Sequence, residues 1–191
     1  MAGRPLRLPE VLTDTEREAL LAQPNPKCPT GLRNQCMLRL MVDAGLRVGE
    51  VLALQVRDLD WAAGKVMIRQ GKGAKDRVVW INEDLLELLR QWRERRPAGS
   101  NGLLFTTLQG GELDARYIRE LVKRLAKRAG IEKDVHPHLL RHTMATDLLR
   151  STKNLRLVQK ALGHSNITTT TIYAHIVDGE LEEAMKGLRS R

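Results

Sequence analysis

The chain has 191 residues, enough for one domain with a core of its own. Its net charge of +9 at pH 7 beside 42% hydrophobic residues excludes a disordered basic tail and points to a folded domain with an anionic partner. Three Trp, two Tyr and one Phe are too few for the stacking platforms that grip single strands, so duplex DNA or RNA is the expected polyanion.

Residues 1–12 carry Arg4, Pro5, Arg7 and Pro9 and read as an extended basic lead-in rather than packed structure, without the apolar run of a leader peptide. Thr13 followed by Glu16 makes a capping box, opening a first helix that ends before Pro24. A second helix is predicted over 31–43, with Gly45 placed to end it in the left-handed conformation. Cys36 falls among Leu32, Met37, Leu40 and Met41 and reads as a small core residue. Cys28 is the only other cysteine, so neither a disulfide framework nor a zinc cluster is expected, and a reducing, cytoplasmic setting follows. Arg47 stands at the junction with a short helix over 48–54.

From Val56 the pattern changes to short β-type runs over 56–61, 65–69 and 77–81, separated by Ala63-Gly64 and Gly71-Lys72-Gly73. Helical patterning returns over 83–95, 114–129, 137–149, 155–162 and 178–188, and no run approaches the length of a membrane span. The fold class is therefore mainly α with a small three-stranded antiparallel β-sheet, an α+β domain. The helix over 114–129 has two faces. Ile118, Leu121, Val122, Leu125 and Ala129 form an apolar stripe, while Arg116, Arg119, Lys123 and Lys127 lie opposite at spacings of three and four. The basic face suits a major groove or a row of phosphates; the plain alternative is a solvated helix surface.

Near the C-terminal end stands His136-Pro137-His138-Leu139-Leu140-Arg141-His142, followed by Leu162-Gly163-His164 and Thr171-Ile172-Tyr173. Pro137 suits the first position of a helix, which puts His138 and Arg141 in the first turn on one face. Free backbone N–H groups and the helix dipole favour an anion there, and a guanidinium fork adds bidentate recognition of phosphate oxygens. His138 and His142, four residues apart, invite a zinc reading. It is rejected, because Arg141 adjoins that face and no carboxylate or thiolate stands nearby in sequence; no metal and no cofactor are expected.

In order and spacing, Gly45-Leu46-Arg47-Val48-Gly49-Glu50, Gly71-Lys72-Gly73-Ala74-Lys75-Asp76-Arg77, His138-Leu139-Leu140-Arg141-His142, Leu162-Gly163-His164 and Tyr173-Ala174-His175 resemble the tyrosine recombinase, or phage integrase, family. Five separated segments in one order are far more specific than any single motif. The resemblance implies a catalytic domain that cuts and rejoins duplex DNA through a 3′-phosphotyrosyl intermediate without metal. It makes Tyr173 the nucleophile, with Arg47 and Arg141 on the non-bridging oxygens. Lys72 would protonate the leaving 5′ oxygen, His138 would act in proton transfer, and His164 would hydrogen-bond the phosphate. Lys75 is a rival for the role of Lys72, and with Arg77 it is otherwise a candidate DNA contact beside Arg116, Arg119, Lys123 and Lys127.

Each residue has a plainer reading. Arg47 suits a helix-terminus cation pairing with Glu50, His164 a group satisfying helix carbonyls, and Lys72 and Tyr173 ordinary surface or core positions. His136, His142 and His175 receive no role. Gly49 stands where many relatives carry a small polar residue. Family members usually bear an additional N-terminal helical domain that completes a clamp around DNA. The expectation is thus a linker over 1–12 and a catalytic domain over 13–191 with the N-terminal core-binding domain absent, and a weaker grip on DNA in consequence. Leu181, Met185 and Leu188 share a face that the resemblance would dock onto a neighbouring protomer in a DNA-bound homotetramer; packing within its own domain is the alternative. Two other functions fit the same residues: a catalytically silent DNA-binding regulator of this fold, and a relaxing topoisomerase of similar chemistry.

Overall fold

The computed structural model describes residues 10–69, 76–99, 101–163 and 185. Helix α1 (Asp14–Leu21) opens on a closed capping box: the Thr13 hydroxyl accepts from the Glu16 N–H and the Glu16 carboxylate accepts from the Thr13 N–H. Just before it the chain departs from the expected loose lead-in. Leu12 is buried and donates its N–H to the Thr143 hydroxyl at 3.0 Å, and the Val11 carbonyl accepts from Lys133 at 2.9 Å. An apolar pair beside a helix start has a core to enter, whatever the basic residues ahead of it do; residues 1–9 lie outside the described part.

Helix α2 (Pro29–Val42) starts two residues before its apolar pattern indicated, because Pro29 takes the first helical position, where no N–H is needed. It is buried on nearly every side, through Leu32, Cys36, Met37, Leu40 and Met41 among others, which is why it shows so little of a polar stripe. Burial also pushes the Cys36 thiol up, so it stays protonated as an ordinary core side chain. Gly45 follows at φ +66°, and a Cβ there would lie 2.0 Å from Met144 Cε. Only glycine fits both the turn and the close approach. Helix α3 (Val48–Ala53) then begins with Arg47 as its N-cap.

The first β-type run is largely not a strand. Residues Val56–Asp58 form a 3-10 turn in which the Asp58 carboxylate accepts from the Gln55 N–H at 3.0 Å, leaving only β1 (Leu59–Asp60) to pair. A short acidic side chain that bonds the backbone competes with the ladder. Strand β2 (Lys65–Ile68) lies between β1 and β3 (Arg77–Trp80), antiparallel to both, with Val66 opposite Val79 and Ile68 opposite Arg77. Leu59, Val66, Ile68 and Val79 turn inward and seat the sheet on the core.

Helices α4 (Glu83–Arg95), α5 (Ala115–Arg128), α6 (Pro137–Thr152) and α7 (Leu155–Leu162) follow. α2 is the hub, packing against α3, α4 and α6. Trp92 of α4 stacks near Phe105 with ring centroids 6.4 Å apart and donates its indole N–H to the Leu104 carbonyl at 2.8 Å. A smaller apolar cluster of Met144, Ala145, Leu149, Val158 and Leu162 joins α6 to α7. α6 runs three residues past its expected end and stops at Lys153 in the left-handed conformation. The helix expected over 178–188 lies, but for Met185, outside the described residues. The architecture is mainly helical with a small three-stranded antiparallel sheet, as the patterning indicated, and no described helix is long and apolar enough to cross a membrane.

Candidate active site

Two helix starts, those of α3 and α6, meet at one concavity of about 380 Å³ lined by Arg47, Val48, Gly49, Arg119, His136, Pro137, His138 and Arg141. α6 begins where the sequence placed it. Pro137 is its first residue, and His136, which the motif left without a role, is its N-cap, with Nδ1 accepting from the Leu139 N–H at 3.3 Å. His138 is then exposed at the mouth and Arg141, one turn on, is buried. The Arg141 guanidinium donates to the carbonyls of Gly45 and Leu162, so it ties the joint between α2 and α3 to the end of α7.

Arg47 is held from the other side. Glu50 accepts from both the Arg47 backbone N–H and its guanidinium, each at 2.8 Å. The same carboxylate takes a bidentate pair from Arg77, at 2.8 Å on each oxygen, and stands 4.0 Å from Arg141. Burial pushes the Glu50 carboxyl up, but the Arg77 fork, the Arg47 N–H and the Arg47 guanidinium outweigh it and hold the group at about 2. Glu50 is therefore ionised and stands at the centre of three guanidiniums. Sequence reasoning named it only as a possible partner of Arg47; the spacing of a capping box, with the carboxylate at the third helical position, was the signal for more.

Arg77 corrects an expectation. As a candidate DNA contact it would face outward, yet its side chain is 6% exposed, doubly bonded to Glu50, with Nε donating to the Ala161 carbonyl at 3.1 Å. Its position opposite Ile68 turns it to the inner face of the sheet, where a fork can reach Glu50. Arg116, Arg119, Lys123 and Lys127 are exposed along α5, as expected, and the buried face is that of Ile118, Leu121, Val122 and Leu125, with Ala126 in place of the half-buried Ala129. Arg119 alone of the four lines the concavity. Lys72, Lys75, His164, Tyr173 and His175 lie outside the described residues.

The electrostatics suit an anion and a neutral base. No carboxylate among the described residues lines the concavity, and the cations there favour negative charge at both helix starts. Desolvation lowers the affinity of His138 for a proton, and the charges of His136, Arg141, Arg47 and Arg119 lower it further. His138 is thus a neutral imidazole near pH 7, able to accept a proton. His142, half-buried further along α6, is lowered for the same reason, with His138 and Arg141 adding to the effect of burial.

The phage integrase family model matches residues 10–180. The chain belongs to that family. Among curated phage integrase relatives it is 42% identical over 172 residues to the tyrosine recombinase XerC of Xanthomonas axonopodis pv. citri (strain 306), covering 90% of this chain and 56% of that protein. It is 39% identical over 180 residues to the tyrosine recombinase XerD of Ralstonia nicotianae, covering 92% of this chain and 58% of the relative. The chain thus spans a little over half the length of these curated relatives. Among solved structures the fold resembles the XerA recombinase with a TM-score of 0.83 and 32% identity, covering 100% of this chain and 67% of that one. It also resembles the XerH site-specific recombinase bound to its palindromic difH substrate in a post-cleavage complex, with a TM-score of 0.79 and 34% identity over 94% of this chain and 53% of the other. The integrase family fold is therefore shared along the whole described core, both concavity-forming helix starts included.

Proposed function

We propose that this chain cuts and rejoins duplex DNA at a specific site through a 3′-phosphotyrosyl intermediate on Tyr173. The observation that carries the reading is the meeting of Arg47, His138 and Arg141 at one concavity between two helix starts. Arg47 and Arg141 each take a non-bridging oxygen of the scissile phosphate; being permanently cationic, they stabilise the charge that builds on those oxygens as phosphorus becomes five-coordinate. A phenol is a weak acid, with a pKa of ~10 in an unperturbed tyrosine, so Tyr173 needs a base, and a neutral His138 takes its proton. The phenolate oxygen bonds to phosphorus, the bond to the 5′ oxygen breaks, and Lys72 gives that oxygen a proton. His164 hydrogen-bonds the phosphate. Rejoining reverses the step, with a 5′-hydroxyl attacking the phosphotyrosine and Tyr173 leaving.

Double-stranded DNA is the partner and the exposed basic face of α5 its groove contact, through Arg116, Arg119, Lys123 and Lys127, with Lys75 on the hairpin. Strand exchange needs two duplexes and four strand cuts, so the working assembly is a homotetramer on DNA. The test is trapping on a pool of nicked duplexes that lose a short 5′-hydroxyl fragment on cleavage. The expected result is a denaturant-resistant protein–DNA adduct whose peptide map places the DNA on Tyr173. A Tyr173→Phe chain that still traps DNA overturns the assignment, duplex binding without any adduct favours a silent regulator, and relaxation of supercoiled DNA lacking a preferred site favours a topoisomerase.

A further inference from the structure

Arg119 differs from the other cations of α5. At ~100° per residue it is turned roughly 60° from the line of Arg116, Lys123 and Lys127, toward the side of Val122 and Ala126. That turn brings it to the edge of the concavity that holds Arg47, His138 and Arg141. Arg47 is already bonded to Glu50, and Arg141 to the carbonyls of Gly45 and Leu162. Arg119 is exposed and makes no ion pair or side-chain hydrogen bond among the described residues. One carboxylate, Glu50, serves Arg47, Arg77 and Arg141, and no described carboxylate lines the concavity, so a further guanidinium there is stabilised by an anion from outside. Its charge already reaches His138.

We infer that Arg119 binds a non-bridging oxygen of the phosphodiester adjoining the scissile one, and so leads the DNA strand from the reaction site onto the basic face of α5. This rests on the cleavage reading above. In that reading Arg47, Arg141 and His164 already hold the scissile phosphate, and the nearest further anion on the same strand is the neighbouring phosphate. A fork on the helix that follows the duplex is suited to take it.

The experiment uses the full chain and three nicked duplexes of the sequence recovered by trapping. One is all-phosphate; the others carry a single neutral methylphosphonate at the linkage on either side of the scissile phosphate. Adduct formation is timed for wild type, Arg119→Ala and Arg119→Lys, with thermal unfolding checked for each. On the all-phosphate duplex Arg119→Ala slows the reaction about tenfold to a hundredfold, as expected when one charge-assisted hydrogen bond is removed, and Arg119→Lys recovers part of it. On one of the two neutralised duplexes wild type and Arg119→Ala react within about twofold of each other, because the methylphosphonate has already removed the anionic acceptor. An equal slowing on all three duplexes, or none on any, overturns the inference. A wild-type chain that forms no adduct on any duplex overturns the cleavage reading itself, a result distinct from either of these.

Discussion

Glu50 is the residue on which the concavity depends. Its carboxyl is held at about 2 against an ordinary 4.5, so its ion pairs contribute stability that is fully present above pH 4.5 and is lost as pH falls toward 2. The difference corresponds to about 3 kcal/mol. Glu50→Gln should therefore lower the unfolding free energy at pH 7 by about that amount, and urea denaturation should show the wild type losing its advantage over the variant between pH 4.5 and 2. Gly45→Ala places a methyl group 2.0 Å from Met144 Cε on a backbone at φ +66°. A destabilisation of about 2 kcal/mol or more is expected, read as a lower melting temperature, with weakened DNA cleavage because the Gly45 carbonyl is an acceptor for Arg141. His138 is shifted in the same direction as Glu50, downward, and must be uncharged to act as the proposed base. Its proton affinity is lowered from the usual 6.5, so it is neutral above that value, and the adduct-forming rate should rise with pH through a midpoint below 6.5. A flat rate across that range removes His138 from the proton-transfer role.

At the scale of elements, α5 and α6 divide the work. Replacing Arg116, Lys123 or Lys127 with Ala should weaken duplex binding alike for all sequences. The slope of log affinity against log salt, measured by fluorescence anisotropy, should become shallower by about 0.9 for each phosphate no longer neutralised. α6 begins on a histidine cap. His136→Ala is expected to destabilise the domain by about 1 kcal/mol and His136→Asn to restore it, since asparagine caps as well or better. Elements were legible where a local rule decides them. Thr13 with Glu16, Pro137 and the β-type runs over 65–69 and 77–81 each carry their structure within a few residues. The misses have tertiary causes. The 56–58 turn follows from where Asp58 points, and Leu12 is packed because Thr143, far along the chain, accepts its N–H.

For the molecule as a whole, the order of five short segments was enough to indicate the family, while the helical and β-type patterning indicated the fold class. What the order did not contain is which cations stay exposed and which turn inward onto a carboxylate. Arg77 and Arg119 look alike in the sequence; one is buried against Glu50 and the other is exposed at the concavity, and only the sheet register and helix phase separate them. Arg141 has a consequence of a different kind. Its two carbonyl partners come from the joint after α2 and from the end of α7, so the guanidinium is correctly aimed only after those distant stretches have both come to rest against α6. A nascent or half-refolded chain holds no such arrangement. If Arg141 holds the scissile phosphate as proposed, cleavage waits on the docking of both stretches.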